Sequence, residues 1–528
     1  MIDSGKFTEK EFSWNNRSVI VAICIVVLLG LFLRLYNYFA VPLINPDGTL
    51  YIQQAKALYF GLHDHLLSCL PYLSSYPFFI VVGYKLFGDW LLAAQLVSLF
   101  FGTLTFFPLF GLLRRFFDET VSLLGLLIFS ITPAFISLSQ DAIRGPVYWF
   151  FSMMGLFLFT CFIEKPKTIL PFFSALCFII CAWTRIEGIL FFFTAGFYIL
   201  IAKDKRRWSH LFSYLLPLLI LSVTLLSILV MANENYFTIL QIERLTRPLE
   251  VYERYKELRH NLKILSEQFL PGFSPYFFDK VRNLVWLIAL GTLTVQIIET
   301  LYHIFFIVLA MGVVEYRHQI FKDSRITFFS VTAGLALIVL YMQILYNWAM
   351  TSRFVPLVLF PAFIFIGAGL KMILRILKNR FSLKSISACV LITALFLTLT
   401  VPKILRANYI EDKTVFRKVG QFIAQRENGQ TPISVAGALK QLRMIHFYSN
   451  LDYPGAPCFS TGCFFPKVDQ NVFQNIKNAG CDYLVWDEKN WKIQESGNIL
   501  PSSAIGFIKL NTWKTERFGR IILYKVNK

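Results

Sequence analysis

One acidic residue, Asp47, follows the first long apolar segment of the chain at a turn. It lies in an Asn-Pro-Asp-Gly turn signal (residues 45–48), which precedes a short helix predicted over 49–59 and closed by Gly61. Two interpretations of Asp47 are open. It either caps that helix, a structural role that suits aspartate, or acts as a catalytic base at a membrane surface.

Isolated arginines and acids stand at the ends of later apolar segments. Each arginine taken alone is explained by a side chain that reaches the membrane interface or pairs with a nearby acid. Taken together they suit a lipid-linked phosphate, because the planar guanidinium binds phosphate oxygens in a bidentate fashion. The sequence therefore predicts Asp47 as the catalytic residue beside a phosphate site. The candidate phosphate ligands are Arg144, Arg185, Arg353, Arg282 and Lys85, and the candidates for a second acid are Asp141 and Glu187.

A possible metal site involves His63, Asp64 and His65, which are adjacent in the same loop as Asp47. Adjacent residues rarely direct their side chains at one ion, and no helical spacing unites these three. We therefore predict no metal and no other cofactor, since arginines already supply fixed positive charge. A divalent ion is kept as the alternative.

Composition defines the class of protein. The chain is 56% hydrophobic with 55 Phe and only 16% charged residues, and several segments reach the roughly 20 residues needed to cross a bilayer. This predicts a multi-pass protein of the plasma (inner) membrane. The net charge of +19 does not indicate a nucleic-acid partner, because most Lys and Arg lie in short connections between apolar segments. The first apolar segment lacks a small-residue cleavage site after it, which indicates an uncleaved anchor.

The apolar segments predict about eleven membrane spans. Two long loops, 40–89 and 232–283, separate them, and the apolar stretch 76–87 in the first loop is too short to cross and is predicted as an interfacial helix. The stretch 283–295 is predicted as re-entrant or part of a tilted span, and Arg34, near the end of the first span, is expected to reach the interface. The predicted spans are 19–39, 90–112, 120–138, 146–163, 168–184, 186–202, 209–231, 296–315, 326–346, 355–374 and 385–402.

Charge in the short connections predicts the orientation. Alternate connections are basic and are therefore predicted to be cytoplasmic, whereas the opposite ones hold few basic residues. This places the N-terminus inside, both long loops outside and the C-terminus outside. The loop 232–283 is itself basic, which suggests an anionic partner. The basic connections carry Lys6, Lys10 and Arg17; Arg114 and Arg115; Lys165 and Lys167; Lys203, Lys205, Arg206 and Arg207; Arg317, Lys322 and Arg325; and Lys371, Arg375, Lys378, Arg380 and Lys384.

A change of composition near residue 405 divides the chain into a transmembrane domain (1–404) and a soluble exterior α/β domain (405–528). Helices are predicted over 412–426 and 468–479, and strands over 432–435, 482–486, 505–510 and 520–526. Cys458 and Cys463 lie five residues apart in a glycine-containing loop. They are predicted either to form a disulfide or to remain free thiols, since sequence gives no Cα separation.

The order and sidedness of these motifs resemble the C-type membrane glycosyltransferases (GT-C). The resemblance covers about residues 19–400 and is nearest to the bacterial enzymes similar to protein O-mannosyltransferases and to the lipid A aminoarabinose transferase. It rests on Arg34-Leu35 at the end of the first span; Pro46, Asp47 and Tyr51; Arg185, Glu187 and Gly188; and Arg353, Phe354 and Pro356 before a late span.

The resemblance implies a GT-C-like fold and a glycosyltransferase activity. A sugar would move from a polyprenyl-phosphate donor to a hydroxyl of a lipid, glycan or protein at the exterior membrane face, with Asp47 at the position of the first-loop catalytic acid. One departure stands out: those subfamilies often carry an Asp-Glu pair in the first loop, whereas this chain has Asp47-Gly48. The second carboxylate is thus unassigned, and so is the acceptor.

Three other functions are compatible with the sequence. A polysaccharide polymerase or ligase shares the chemistry and is not separable by sequence. A lipid-linked sugar transporter would be expected to place ionisable residues near the bilayer midplane, whereas here polar groups gather at one face. A non-enzymatic assembly or receptor protein would tolerate loss of Asp47.

The charge pattern makes a testable prediction about orientation. Reporter fusions at Arg206 and Lys378 should be cytoplasmic, and fusions at Lys263 and after Tyr409 should be exterior. A cytoplasmic C-terminal domain would contradict the exterior assignment of Asp47.

Overall fold

Helices dominate the computed structural model, and a small β-sheet lies near the C-terminus. The structure describes residues 17–41, 43–232, 242–268, 274–406, 414–439, 441–465, 471–488, 491 and 506–527. Residues 1–16, parts of the predicted loop 232–283, and parts of the predicted C-terminal elements (412–413, 468–470 and 505) lie outside these ranges.

The helices and strands have the following bounds. The helices are α1 Arg17–Ala40, α2 Pro46–Phe60, α3 Tyr76–Phe87, α4 Trp90–Leu104, α5 Phe106–Arg114, α6 Glu119–Ile131, α7 Pro133–Ser139, α8 Gly145–Glu164, α9 Ile169–Thr184, α10 Ile189–Ile201, α11 Arg207–Ala232, α12 Ile242–Glu267, α13 Pro275–Leu301, α14 His303–Tyr316, α15 Ser324–Asn347, α16 Pro356–Phe381, α17 Ser385–Arg406, α18 Thr414–Glu427, α19 Leu442–Ser449 and α20 Val472–Asn478. The strands are β1 Val435–Gly437, β2 Tyr483–Asp487, β3 Phe507–Thr515 and β4 Gly519–Val526.

Among the described residues, 7 helices are long and apolar enough to cross a membrane, or up to 8 if one bent pair is counted as a single span. Several other predicted spans correspond to shorter apolar helices, namely α9, the segment 186–201 that includes α10, and α14. The chain is thus a helical membrane protein, while the count of eleven spans stays a prediction.

The bent pair is α6 and α7, which meet at 59°, so the segment predicted as a span over 120–138 is bent within its length. Pro133 begins α7 and cannot donate a backbone hydrogen bond to the preceding turn. At this bend Arg34 donates to the carbonyl oxygen of Ser130, as well as to Gly30 O and Ser139 Oγ. Arg34 is therefore fully buried between helices, and the prediction that it reaches the interface is wrong.

The region after α11 also differs from the prediction. The loop predicted over 232–283 contains the 26-residue helix α12 and the start of α13. The stretch 283–295 continues within α13, and the span predicted over 296–315 is interrupted at Tyr302, where φ is 78°. Because a left-handed backbone cannot continue a right-handed helix, α13 and α14 are separate elements.

Three connections that were predicted to lie on one side of the membrane do lie together. Arg325 pairs with Glu164 at 2.8 Å, and Arg115 pairs with the same carboxylate at 3.1 Å. These contacts join the ends of α5 and α8 to the start of α15. The face opposite to them carries Asp47 and the ends of α7, α9 and α15.

The C-terminal residues form a four-stranded mixed sheet in the order β1-β2-β4-β3, in which β1 and β2 are parallel and the other pairs are antiparallel. Helices α18 and α19 pack together beside it. Their buried side chains share one apolar cluster with residues of α2 and α3, among them Ile52, Tyr76, Phe416 and Ile445. The sheet region is therefore packed against the first loop.

A covalent contact also joins the first loop to the C-terminal sheet region. Cys458 forms a disulfide with Cys69 of the first loop, with a Cα separation of 5.3 Å. The pairing of Cys458 with Cys463 that the sequence left open is therefore wrong. Cys463 instead lies beside Cys481, with 2.7 Å between the sulfur atoms. No local sequence pattern indicates either contact, because the cysteines of the first are 389 residues apart and those of the second 18.

The close contact of α14 with α16 depends on two glycines. A Cβ atom on Gly312 would lie 1.6 Å from Phe365 O, and one on Gly369 would lie 2.0 Å from Val308 O. Backbone atoms at these distances cannot move aside as a flexible side chain would. Small residues at such crossings let membrane helices approach closely.

Replacing either glycine should therefore destabilise the protein. Gly312→Ala and Gly369→Ala are each expected to lower the free energy of unfolding in detergent by at least the roughly 1–3 kcal/mol typical of overpacking, and with it the melting temperature. Gly291→Ala and Gly334→Ala are matched controls, because a Cβ there meets nothing within 4 Å and alanine favours a helix. Equal melting temperatures for all four variants would contradict this packing.

Candidate active site

The start of α2 determines what Asp47 is free to do. Asn45, not Asp47, is the N-cap, and its Oδ1 accepts a hydrogen bond of 3.0 Å from the Asp47 backbone N–H. The capping interpretation of Asp47 is therefore wrong, although the predicted helix and its left-handed Gly61 terminus are present. The Asp47 side chain leaves the first turn and remains 43% exposed.

Two guanidinium groups hold the two carboxylate oxygens of Asp47. Arg353 Nη1 lies 2.5 Å from Oδ2, and Arg443 Nη2 lies 3.6 Å from Oδ1. Arg353 precedes α16, whereas Arg443 lies in the first turn of α19, in the C-terminal region. One negative and two positive charges thus meet at a solvent-accessible point, which favours the binding of a further anion.

Arg185 lies beside this cluster and contacts the backbone of Arg353. Its side chain is 5% exposed, and its Nη1 donates a 2.7 Å hydrogen bond to the backbone carbonyl of Arg353. Its guanidinium also lies 3.6 Å from Glu187 and 4.4 Å above the centre of the Phe354 ring. Arg185 and Glu187 therefore position the segment that carries Arg353.

Arg144 occupies a neighbouring aromatic environment. Its Nη1 donates to Thr184 O at 3.1 Å, and its guanidinium lies over the rings of Tyr51 and Tyr72 at 5.8 and 5.2 Å. The Thr184 hydroxyl is in turn hydrogen-bonded to Ser75. Arg144 thus links the end of α9 to the first loop close to Asp47.

Asp141 stands behind the turn that carries Asp47. Its Oδ1 accepts hydrogen bonds from the backbone N–H groups of Asn45, at 2.7 Å, and Ala142, at 2.8 Å. Burial raises the pKa of this carboxyl to about 6, although both hydrogen bonds and the charge of Arg353 act in the opposite direction. Asp141 is therefore a titratable group beside the turn that begins α2.

Gly48 permits this arrangement. A Cβ atom at position 48 would lie 2.7 Å from Ala142 O and 2.8 Å from Ala142 Cβ, so a larger residue would push the two loops apart. Glycine at position 48 thus has a packing reason. The close approach places Asp141 against the first loop, where it accepts a hydrogen bond from the Asn45 backbone.

Some predicted residues do not join the cluster. Lys85 is exposed in the last turn of α3, and Arg282 pairs with Asp279 of its own helix at 3.2 Å. His63 and His65 lie in a single 3-10 turn with Asp64. Within the described ranges, no group of three or more His, Cys, Asp or Glu side chains is arranged to hold a metal ion.

Arg443 is the functional candidate that the sequence analysis missed. Helix α19 was not predicted, and nothing in its sequence separates Arg443 from the many other basic residues of the chain. An indication was available in the apolar residues Leu442, Ile445 and Tyr448, whose spacing is helical. That pattern predicts a buried helix face but not its neighbour.

Comparison with known proteins relates part of the sequence to a known family. Residues 75–229 match the model of the dolichyl-phosphate-mannose-protein mannosyltransferase family. Comparison with curated protein sequences gave no significant match.

Solved membrane enzymes resemble almost the whole chain. The oligosaccharyltransferase of Archaeoglobus fulgidus in complex with Zn and sulfate is 10% identical, with a TM-score of 0.57, over 95% of this chain and 72% of that one. ArnT from Cupriavidus metallidurans bound to undecaprenyl phosphate is 13% identical, with a TM-score of 0.54, over 96% and 98%. The oligosaccharyltransferase AglB of Archaeoglobus fulgidus with an inhibitory peptide and a dolichol-phosphate is 10% identical, with a TM-score of 0.50, over 97% and 74%.

These similarities define the fold. The chain has the fold of the C-type membrane glycosyltransferases, the class that its motifs resemble, and that resemblance is confirmed. Residues 75–229 are similar to the mannosyltransferase family, and the fold of the chain is similar to that of ArnT.

The environment of Asp141 predicts a pH effect on stability. Because its folded pKa of about 6 lies above its ordinary value of 3.8, the stability it contributes is present below about pH 4 and is lost as the pH rises through about 6. Asp141→Asn keeps an oxygen for both backbone N–H groups and does not ionise. The melting temperature of the wild type should therefore fall relative to that of the variant between pH 4 and 6, and parallel curves would contradict the assignment.

Proposed function

We propose that the protein is a glycosyltransferase that moves a sugar from a polyprenyl-phosphate donor to a hydroxyl acceptor at the exterior membrane face. The observation that carries this proposal is the exposed Asp47 carboxylate held between two arginines. Its support from similar proteins is that AglB is described with a dolichol-phosphate and ArnT with undecaprenyl phosphate. The acceptor is a hydroxyl of a lipid, glycan or protein.

The geometry allows Arg353 to exchange its partner Asp47 for the donor phosphate when the donor binds. Arg353 forms an ion pair with Asp47, so the carboxylate that would take the proton is occupied by the guanidinium. A donor phosphate offers the guanidinium a better bidentate acceptor, and transfer of Arg353 to it leaves Asp47 available as a base. Binding of the donor thereby prepares the base.

The transfer step then uses the negative charge of Asp47 and the positive charge of Arg353. The acceptor oxygen forms a bond to the anomeric carbon while the bond from that carbon to the phosphate oxygen breaks, and the polyprenyl phosphate leaves with the electron pair. Asp47 takes the proton of the hydroxyl. Arg353 stabilises the charge that grows on the phosphate. Arg185 acts as a positioning residue through its hydrogen bond to the Arg353 backbone.

The side of the membrane is supported by two independent observations. The short connections near Asp47 are poor in basic residues, as expected of exterior loops. The disulfide between Cys69 and Cys458 also joins the two regions around the site, and disulfides are typical of oxidising compartments. Both favour an exterior active site.

A transporter function is less well supported. The buried cation of the first span, Arg34, donates to two backbone carbonyls and to Ser139. It also lies 5.0 Å from the centre of the Phe106 ring. These contacts give Arg34 a structural role at the bend of α6 and α7, so it does not call for an ion pathway.

Asp47→Asn tests the proposed base. Transfer of labelled sugar from a polyprenyl-phosphate donor into membrane extracts should fall about 10²-fold or more, because the amide cannot accept the proton. Donor binding and thermal stability should persist, since Asn45 provides the cap. Asn45→Ala is the matched control and should lower stability by about 1 kcal/mol through loss of the cap. Full activity of a folded Asp47→Asn protein would overturn the base assignment.

Arg353→Lys separates charge from geometry in the same assay. The lysine keeps the positive charge but loses the planar fork, so donor affinity and turnover should both decrease. Arg520→Gln serves as a control, because Arg520 forms an exposed ion pair with Glu488 on the C-terminal sheet. An equal loss of transfer activity in Arg353→Lys and Arg520→Gln would indicate a general effect on folding.

A further inference from the structure

We infer that the C-terminal region supplies a phosphate-binding residue to the active site: Arg443 of α19 binds the polyprenyl phosphate together with Arg353. This inference rests on the proposed function and extends it to a second cation. It gives the C-terminal region a direct part in the reaction. Packing of α19 against the first loop would then complete the site.

The contacts of Arg443 are those of a residue ready to bind a ligand. Its guanidinium lies 3.6 Å from Asp47 Oδ1, an ion-pair distance that is longer than a hydrogen bond. Its side chain is 32% exposed, and within the described part of the chain Asp47 is its sole ion-pair partner. Arg443 is thus held near the site without being fixed there.

The position of α19 is, in contrast, firmly determined. Lys56 of α2 is buried, and its Nζ donates to the carbonyl oxygens of Asn450 at 3.2 Å, Leu451 at 3.0 Å and Tyr453 at 2.7 Å, just beyond the C-terminus of α19. A cation at a helix C-terminus is electrostatically favourable. With the disulfide between Cys69 and Cys458, these contacts hold Arg443 opposite Asp47.

The charge change of the reaction explains why a second arginine is useful. A polyprenyl-phosphate sugar is a phosphodiester with one negative charge. Cleavage of the bond to the sugar leaves a phosphate monoester, which carries close to two negative charges near neutral pH. One guanidinium balances the donor, and a second stabilises the charge that appears as the bond breaks. Arg443 should therefore favour the leaving phosphate over the intact donor.

An ion pair that merely attaches α19 to α2 makes a different prediction. Loss of such a contact would lower stability and would affect all ligands equally. A phosphate-binding role instead changes turnover and the affinity for polyprenyl phosphate, the product. It leaves the donor KM less affected, because the donor carries less charge than the product.

The test compares Arg443→Gln, Arg443→Lys and the control Arg520→Gln in the full-length protein. Initial rates with labelled polyprenyl-phosphate sugar give kcat and KM, inhibition by polyprenyl phosphate gives Ki, and stabilisation by polyprenyl phosphate alone reports binding. We expect Arg443→Gln to lower kcat and raise Ki by about 10-fold or more, the range for loss of a charged hydrogen bond. Arg443→Lys should recover part of both, and Arg520→Gln should match the wild type.

The outcomes separate this inference from the proposed function. If the wild type transfers sugar and Arg443→Gln has unchanged kcat and Ki, the role of Arg443 is refuted while the function stands. If the wild type transfers no sugar yet binds polyprenyl phosphate through Arg443, the function is refuted while the phosphate site stands. A wild type that does not bind polyprenyl phosphate, or an Arg443→Gln protein that loses only thermal stability, overturns the inference.

Discussion

The ion pair between Asp47 and Arg353 is the contact around which the candidate site is built. It joins two positions 306 residues apart, one in the first turn of α2 and one at the entry to α16. The carboxylate and the guanidinium pair with each other although both side chains are partly exposed, Asp47 to 43% and Arg353 to 26%. A charged ligand has to compete with that pairing, which couples occupation of the site to release of the base.

Several buried basic side chains of the protein make the same kind of contact. Arg34, Lys56 and Arg185 each donate to backbone carbonyl oxygens at or near helix ends or bends. Such carbonyls lack partners within the helix, so a long basic side chain both satisfies them and is itself satisfied. Irregular backbone is thereby stabilised inside a membrane protein, and the loops around Asp47 acquire fixed positions.

Glycines and a proline set the distances between these helices. Gly312 and Gly369 let the backbones of α14 and α16 touch, while Pro133 bends the path between α6 and the segment that carries Asp141. Gly48 then allows that segment to lie directly against the turn of Asp47. The rigid packing of α16 in turn fixes Arg353, since much of that helix is buried.

The sequence by itself determined the membrane class, the helix α3, the C-cap at Gly61 and the place of Asp47 beside the start of a helix, because hydrophobicity, turn residues and helix periodicity are local properties. It did not determine the cap, since Asn45 and Asp47 are equally suited by type and only backbone geometry distinguishes them. The partners of Asp47, the disulfide of Cys69 and the position of Arg443 beside Asp47 were decided by tertiary structure alone. Each depends on which distant elements are brought within a few ångströms by the packing of α19 against α2 and by the approach of the segment before α16 to Asp47, and no local pattern encodes that distance.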